Sequence, residues 1–267
     1  MTGSRLDAIL SDARARVERL RARRGELERA VTAAPPGRAH TFLRRGAGQV
    51  GVIAEVKRRS PSAGAIQDHL DPVPYAQACV AGGAVAISVL TDEVHFGGSL
   101  DDLAHVSRAV SVPTLRKDFI LDELQLLEAR GAGASAVLLI VRALPERRLR
   151  ALSWEAAHLG LAALVEVHDV NELGIALGAG ATLIGVNNRD LDTFTLDLGN
   201  AERLLPQVPP SVIAIAESGI EQRGQVERMA AAGADFVLVG SAIAGSTAPE
   251  ASVRELVGVS RVERKQS

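Results

Sequence analysis

The chain has 267 residues, 47% of them hydrophobic and 23% charged, with a formal net charge of −2. That balance suits a globular protein with a large core, and it excludes both a disordered, highly charged chain and a strongly basic polyanion binder. One cysteine, Cys79, excludes an internal disulfide framework, and no apolar run approaches the roughly 18 residues of a membrane span, so we expect a cytoplasmic protein with no membrane and no nucleic-acid partner.

The first stretch, residues 1–45, reads as a helical extension. The segment LDAILSDARARVERLRARRGELERAV puts Leu6, Ile9, Leu10, Ala13, Val17 and Leu20 on one helical face. Over residues 1–45 eleven arginines stand against five acidic residues, but no aromatic side chain is interleaved among the arginines of that segment for base stacking. The basic face is therefore expected to be solvated, with the apolar face on the rest of the protein. AAPPGR (33–38) reads as a stiff connector.

From residue 46 onward, short apolar runs recur: VGVIAEV, AVAISVL, PTLRKDF, SAVLLIV, LAALVEV, TLIGVNN, SVIAIAE and DFVLVG. Their nearly continuous apolar character is that of parallel strands buried on both faces. A mean spacing of about 26 residues leaves room for a loop and a crossover helix, which parallel neighbours require. Helix starts fall in the gaps at Asp71-Pro72, Asp122, Pro145-Glu146 and Asp169. GAGA (131–134), GAGA (178–181) and AGAD (232–235) each set a glycine between a helix and the next strand, an internal repeat. Eight βα units predict an α/β fold, a (β/α)8 TIM barrel over 46–258 with the N-terminal helical extension before it; a doubly wound open sheet fits less well. Residues 259–267 read as a polar tail, and no structure is expected in VERKQS (262–267). Cys79 and Trp154 fall in helices and are expected to be packed.

Active sites of such barrels lie at the C-terminal strand ends. Those positions carry Glu55 and Lys57, Lys117 and Asp118, Glu166, Asn187 and Arg189, and Glu217 and Ser218. Alternate residues of a strand share a side, so Glu55 can face the barrel mouth with Lys57, and Asn187 with Arg189. Of 30 basic residues only Lys57, Lys117 and Lys265 are lysines. Arginine stays protonated at any working pH, whereas a partly desolvated lysine can give and take a proton. Such charges could pair merely to stabilise strand ends. Desolvating lysines and glutamates together for packing alone would cost about several kcal/mol per ion, which favours a functional cluster.

Ser218-Gly219 and Gly240-Ser241 follow strands 7 and 8, where such barrels hold phosphate on glycine loops. Phe96, Phe119, Leu138, Ile140, Leu191, Phe194 and Leu238 are core-like by type, but near strand tops they could line an aromatic slot. No histidine spacing suits a metal, and none is expected; His168 beside Glu166 reads as a strand-end residue. Ser218 is not in a GxSxG turn, which disfavours triad hydrolysis.

The strings IAEVKRRSPSAG (53–64), AISVLTDEVHFGGSLDDL (86–103), LRKDFILDELQLLEARGAGASAVLLIV (115–141), ALVEVHDVNEL (163–173), IGVNNRDLDTF (184–194), AESGI (216–220) and VLVG (237–240) closely resemble the indole-3-glycerol phosphate synthase family. The resemblance covers about residues 50 to 245; the extension resembles the family's extra helix only in kind. It implies a lyase of tryptophan biosynthesis that turns 1-(2-carboxyphenylamino)-1-deoxyribulose 5-phosphate into indole-3-glycerol phosphate with loss of carbon dioxide and water, without a cofactor. By the same resemblance, Lys117 is the general acid at the substrate carbonyl and Glu166 transfers protons in later steps. Glu55 and Lys57 complete the site, Asn187 and Arg189 lie near the aromatic carboxylate, and Ser218 matches the serine of ESG. The substrate is expected to meet Arg189, Glu217, Phe96, Phe119, Leu138, Leu191 and Leu238, with its phosphate on Ser60, Gly219, Gly240 and Ser241. His95-Phe96 replaces two aromatics usual in the family, and QDHLDP (67–72) lacks an aromatic often found there. The partner expected is this small phosphorylated molecule, and the chain is expected to be a monomer or weak homo-oligomer.

Two other readings stay open. A class I aldolase would use Lys57 or Lys117 as a Schiff-base nucleophile. A catalytically silent phosphate-binding barrel would need only the glycine loops, and leaves the glutamates and lysines unexplained.

Overall fold

The computed structural model describes residues 4–37, 39, 42–46, 48–60 and 64–264; Lys265, and Arg38 of the connector, lie outside them. Eight parallel strands close into a barrel: β1 (Gly51–Val56), β2 (Ala86–Leu90), β3 (Thr114–Lys117), β4 (Ala136–Ile140), β5 (Ala162–Val167), β6 (Leu183–Asn187), β7 (Ile213–Glu217) and β8 (Phe236–Val239). Closure is made by β1 against β8, with Gly51 opposite Phe236 and Ala54 opposite Val239. A two-stranded antiparallel ribbon, Arg59–Ser60 with Gly64–Ala65, follows β1.

Alternation along the strands makes two apolar layers. On β1, Val52, Ala54 and Val56 join the layer between strands and helices, whereas Ile53 belongs to the barrel interior with Leu115, Leu138, Leu164, Ile215 and Leu238. Period-2 geometry then turns the next inward residue, Glu55, towards the mouth. The helices of the outer ring are α3 (Pro72–Ala81), α4 (Leu100–Ala109), α5 (Glu123–Gly131), α6 (Glu146–His158), α7 (Val170–Gly178), α8 (Gly199–Leu204), α9 (Arg223–Ala231) and α10 (Pro249–Leu256), after α1 (Arg5–Arg21) and α2 (Arg24–Ala33) of the extension. Asp71, Asp122 and Asp169 cap α3, α5 and α7, accepting from the N–H groups of Val73, Leu124 and Glu172. Each such cap contributes about 1 kcal/mol. Gly133, in the first GAGA, takes φ +89°, a conformation that lets the chain leave α5 and enter β4 at once.

The six apolar residues expected on one face of α1 are its buried residues. Leu6, Ile9, Leu10 and Ala13 share a cluster with Phe119, Leu191 and Phe194 at the strand tops, so α1 lies against the mouth. Its polar side is not wholly solvated. Arg16 donates to Asp118 at 2.7 Å and pairs with Asp92 at 3.2 Å, and Asp12 meets His95 Nε2 at 3.0 Å.

At the opposite end, residues 262–264 form no helix or strand, as expected, but the chain before them is paired and the Arg264 side chain is held. Val50 N–H donates to Val259 O and Arg261 N–H to Gly48 O, and the buried Asp235 carboxylate is met by Arg45, Arg261 and Arg264. Burial of one acid recruits three arginines, which polar composition alone does not reveal. Cys79 is fully buried in α3 as expected. Trp154 is not packed: it is 62% exposed on α6, its ring tilted against that of His158. The i, i+4 spacing places both rings on the solvent side of that helix. Among the described residues no helix is long and apolar enough to cross a membrane.

Candidate active site

β1 and β3 bring their lysines to one cavity at the C-terminal strand ends. All the site residues expected from the sequence line it except Glu217. Glu217 lies beneath the wall, 1% exposed, and acts on the cavity through Lys117 rather than by touching what fills it. The reason is packing: Gly185 on β6 has no side chain, and a Cβ there would stand 1.9 Å from Glu217 Oε1, so the carboxylate occupies the space that glycine leaves.

The Lys117 ammonium is the centre of the site. Its Nζ is 3.7 Å from Glu217, 3.9 Å from Glu166 and 3.9 Å from Glu55. Burial alone would lower its pKa, but the three carboxylates outweigh that and raise it, so Lys117 is firmly protonated. Lys57 Nζ pairs with Glu55 at 3.5 Å and is pulled the other way: burial, with the positive charges of Lys117 and Arg189, lowers its pKa despite Glu55. The two lysines therefore differ in acidity although both reach the same mouth. Burial and the neighbouring Glu166 push the Glu217 carboxyl up to about 8, with Lys117 opposing. Glu55 is held by both lysines, and Tyr75 donates to its backbone carbonyl at 3.1 Å.

Asn187 Oδ1 accepts the backbone N–H of Arg189 at 2.9 Å, and Arg189 Nη1 donates to Phe194 O at 3.0 Å. Residues 189–196 thus form a small loop, bridged from Arg189 to Leu196, that holds the guanidinium at the rim. Phe194 adopts φ +59°, and the Arg5 guanidinium of α1 lies 5.4 Å from its ring centroid. Phe96, Phe119, Leu138, Ile140, Leu191, Phe194 and Leu238 line the cavity between the charged groups, making an apolar slot.

The phosphate loops lie on the same wall. Ser218 has φ +68°, a strained value for a residue with a side chain, and Gly219 follows at φ +76°. Asn188 Nδ2 donates to Ser218 O at 3.0 Å and holds that turn. A Cβ on Gly219 would meet Leu196 at 2.7 Å. Gly240 opens the single turn Ser241–Ala244, whose leading N–H groups precede the first intrahelical bond. A nest of this kind suits an anion.

Sequence reasoning did not find Asp92, Ile220 and Glu221 on the lining, nor Arg16 behind it. Asp118 is on the lining but fully engaged: Thr91, Arg116 and Arg16 hold it, and although burial opposes them they keep its pKa below the usual carboxylate range. His168 is buried, as expected of a strand-end residue, and lies between Glu166 and Glu172. Among the described residues no group of three or more His, Cys, Asp or Glu stands where it could hold a metal ion.

A basic acid-donor in a ring of carboxylates, an apolar slot and an anion nest is the arrangement a ring-forming lyase of a phosphorylated aromatic substrate needs, and comparisons with known proteins agree. The sequence profile of the family described as Indole-3-glycerol phosphate synthase matches residues 6–256. A protein of that name from Koribacter versatilis is 44% identical, over 96% of this chain and 99% of its own length. One from Mycolicibacterium smegmatis is 49% identical over 86% of this chain and 84% of its own, and one from Mycobacterium tuberculosis 47% over 94% and 93%. Among solved structures, thiamine phosphate pyrophosphorylase from Pyrococcus furiosus superposes with a TM-score of 0.57 at 17% identity, covering 78% of this chain and 93% of that one, a likeness of fold alone. With a matching profile along almost the whole barrel and extension, the chain belongs to the indole-3-glycerol phosphate synthase family.

Proposed function

We propose that this chain converts 1-(2-carboxyphenylamino)-1-deoxyribulose 5-phosphate into indole-3-glycerol phosphate, carbon dioxide and water. The observation that carries the reading is the half-buried Lys117 ammonium, set among Glu55, Glu166 and Glu217 at the end of an apolar slot. The phosphate rests on Ser60 and the Gly219 and Gly240-Ser241 loops, and the aromatic carboxylate faces Lys57 and Arg189. Fixing both ends aims the aryl carbon at the ketone.

Lys117 donates a proton to the ketone oxygen as the carbon–carbon bond forms. An oxyanion born there is a stronger base than any amine, so even a firmly protonated lysine can donate to it. The carboxylate leaves as carbon dioxide and its electron pair restores the aromatic ring. In the last step the hydroxyl leaves as water with a proton from Lys57, whose lowered pKa suits it to give one up. Glu166 takes a proton from the carbon beside the nitrogen, completing the double bond. Two protons are given and one is taken, so each turnover consumes one from solvent, as loss of a carboxylate as neutral carbon dioxide requires. These steps use only protons. Asn187 and Ser218 hold the rim loops in which Arg189 and Gly219 lie. We place the chain in the cytoplasm, as a monomer or weak homo-oligomer.

Mixing the purified chain with this substrate and following indole fluorescence tests the reading. Product formation without a covalent adduct on borohydride treatment supports it. Borohydride trapping of a lysine adduct would favour Schiff-base chemistry instead, and binding without turnover would leave a silent phosphate-binding barrel.

A further inference from the structure

Glu166 is 1% exposed, and neither of its carboxylate oxygens has a hydrogen-bond partner among the described residues. Lys117 Nζ faces it at 3.9 Å and His168 Nε2 at 3.4 Å, with the Glu217 carboxyl close by, and His168 Nε2 is itself buried without a hydrogen-bond partner among the described residues. The other ring nitrogen is committed. His168 Nδ1 lies 3.1 Å from Glu172 Oε2, which also accepts the His168 backbone N–H at 2.7 Å. Glu172 is in turn fixed by Arg142 Nε at 2.8 Å, and Arg142 Nη1 reaches Asp190 at 3.0 Å. The imidazole therefore stands at the end of a braced arm, Asp190–Arg142–Glu172–His168, that points at Glu166.

The chemistry of the brace sets the tautomer. A carboxylate only accepts, so Nδ1 carries the hydrogen that Glu172 receives, and in the neutral ring Nε2 presents a lone pair. A lone pair aimed at a carboxylate does nothing for it. It does serve a carboxylic acid, and Glu166 becomes one when it takes the substrate's proton.

We propose that His168 accepts the proton from Glu166 in the last step of the reaction, while product still fills the mouth of the cavity. The carbon–hydrogen bond beside the nitrogen breaks, its electron pair enters the new double bond, and the proton passes to Glu166 and then to Nε2. The resulting imidazolium lies between the carboxylates of Glu166 and Glu172, with Lys117 beyond the first and Arg142 beyond the second. It returns the proton to water once product has left, and Glu166 is then ionised for the next turnover. His168 is a positioning residue, acting through Glu166, and the inference rests on the role of Glu166 proposed above.

The test is kcat for indole formation in His168→Asn, where the amide nitrogen can still donate to Glu172 but no lone pair remains at the place of Nε2 to take the proton from Glu166. In that variant kcat is expected to fall about tenfold with kcat/KM within about twofold of wild type, and the solvent deuterium isotope effect on kcat to grow. A merely structural histidine would alter neither the isotope effect nor this split, so a wild-type rate and isotope effect in His168→Asn would overturn the proposal. Should His168→Asn not fold, Glu172→Leu, which leaves Nδ1–H without its acceptor, is expected to lower kcat likewise; a wild-type kcat there would overturn the proposal equally. Glu166→Gln separates the two claims. Wild-type indole formation in that variant would refute the role of Glu166 itself, whereas a large loss there with an unaffected His168→Asn would refute only the relay.

Discussion

Lys117 Nζ stands 3.7 Å from Glu217 Oε2, nearer than it stands to Glu55 or Glu166, and Glu217 has no other polar contact of its carboxylate among the described residues. Lys117 and Lys57 bring two positive charges to three carboxylates, and Lys57 pairs with Glu55 rather than Glu217. Burial and Glu166 accordingly raise the Glu217 carboxyl from 4.5 to about 8. The folded chain thus holds a proton that the unfolded chain releases between those two values, and stability falls as pH rises through that window. Glu217→Gln, neutral throughout, should match wild type at pH about 4 and exceed it by on the order of 1–3 kcal/mol at pH about 8.5, read from urea unfolding at each pH.

The extension is expected to matter for stability through one ion pair. Arg16 reaches 102 residues along the chain to a fully buried carboxylate, Asp118, and also faces Asp92. Removing it as Arg16→Ala leaves Asp118 to Arg116 and Asp92 without its cation, a cost of about 1–3 kcal/mol in denaturant unfolding. Because the folded pKa of Asp118 is depressed, this stabilisation is present above 3.8, its ordinary value, and lost as pH falls through the folded value. The difference between variant and wild type should therefore shrink on acidification.

Phosphate anchoring depends on a backbone conformation. Gly219 has φ +76° and Leu196 lies where its Cβ would go. Gly219→Ala should displace the loop, raising KM about tenfold, equivalent to about 1.4 kcal/mol of binding, with a smaller effect on kcat. Equal losses in kcat and kcat/KM would instead place the loop's contribution in the transition state alone.

At the far end of the barrel Asp235 holds Arg45, Arg261 and Arg264. Asp235→Asn keeps the shape but leaves three arginines without their carboxylate, so unfolding should be easier by about 3 kcal/mol or more. The melting temperature is expected to drop by roughly 6–12 °C, while kcat and KM well below it stay near wild type.

The strands, the helix starts and the inward positions of Glu55, Lys57, Lys117 and Asn187 were legible because each depends on residues close in sequence: period-2 alternation, an aspartate cap, a glycine after a helix. Arg16, Arg261 and Arg264 were not legible. In the sequence they sit in polar runs like any solvated arginine, and only the buried acids they meet, distant along the chain, distinguish them. Trp154 misleads for the opposite reason, since residue type suggests burial and its turn of α6 faces water. Glu217 was placed on the correct strand end, but its exact depth follows from Gly185 on the neighbouring strand. The same holds for His168, whose importance lies in which nitrogen Glu172 occupies.

The measurement that bears most directly on the account is a single-turnover comparison of wild type and Lys117→Ala with 1-(2-carboxyphenylamino)-1-deoxyribulose 5-phosphate, followed by indole fluorescence. The account predicts rapid product formation by wild type and a loss of about 10²–10⁴ in rate for the variant, with substrate still bound. A variant that forms indole at the wild-type rate would contradict it.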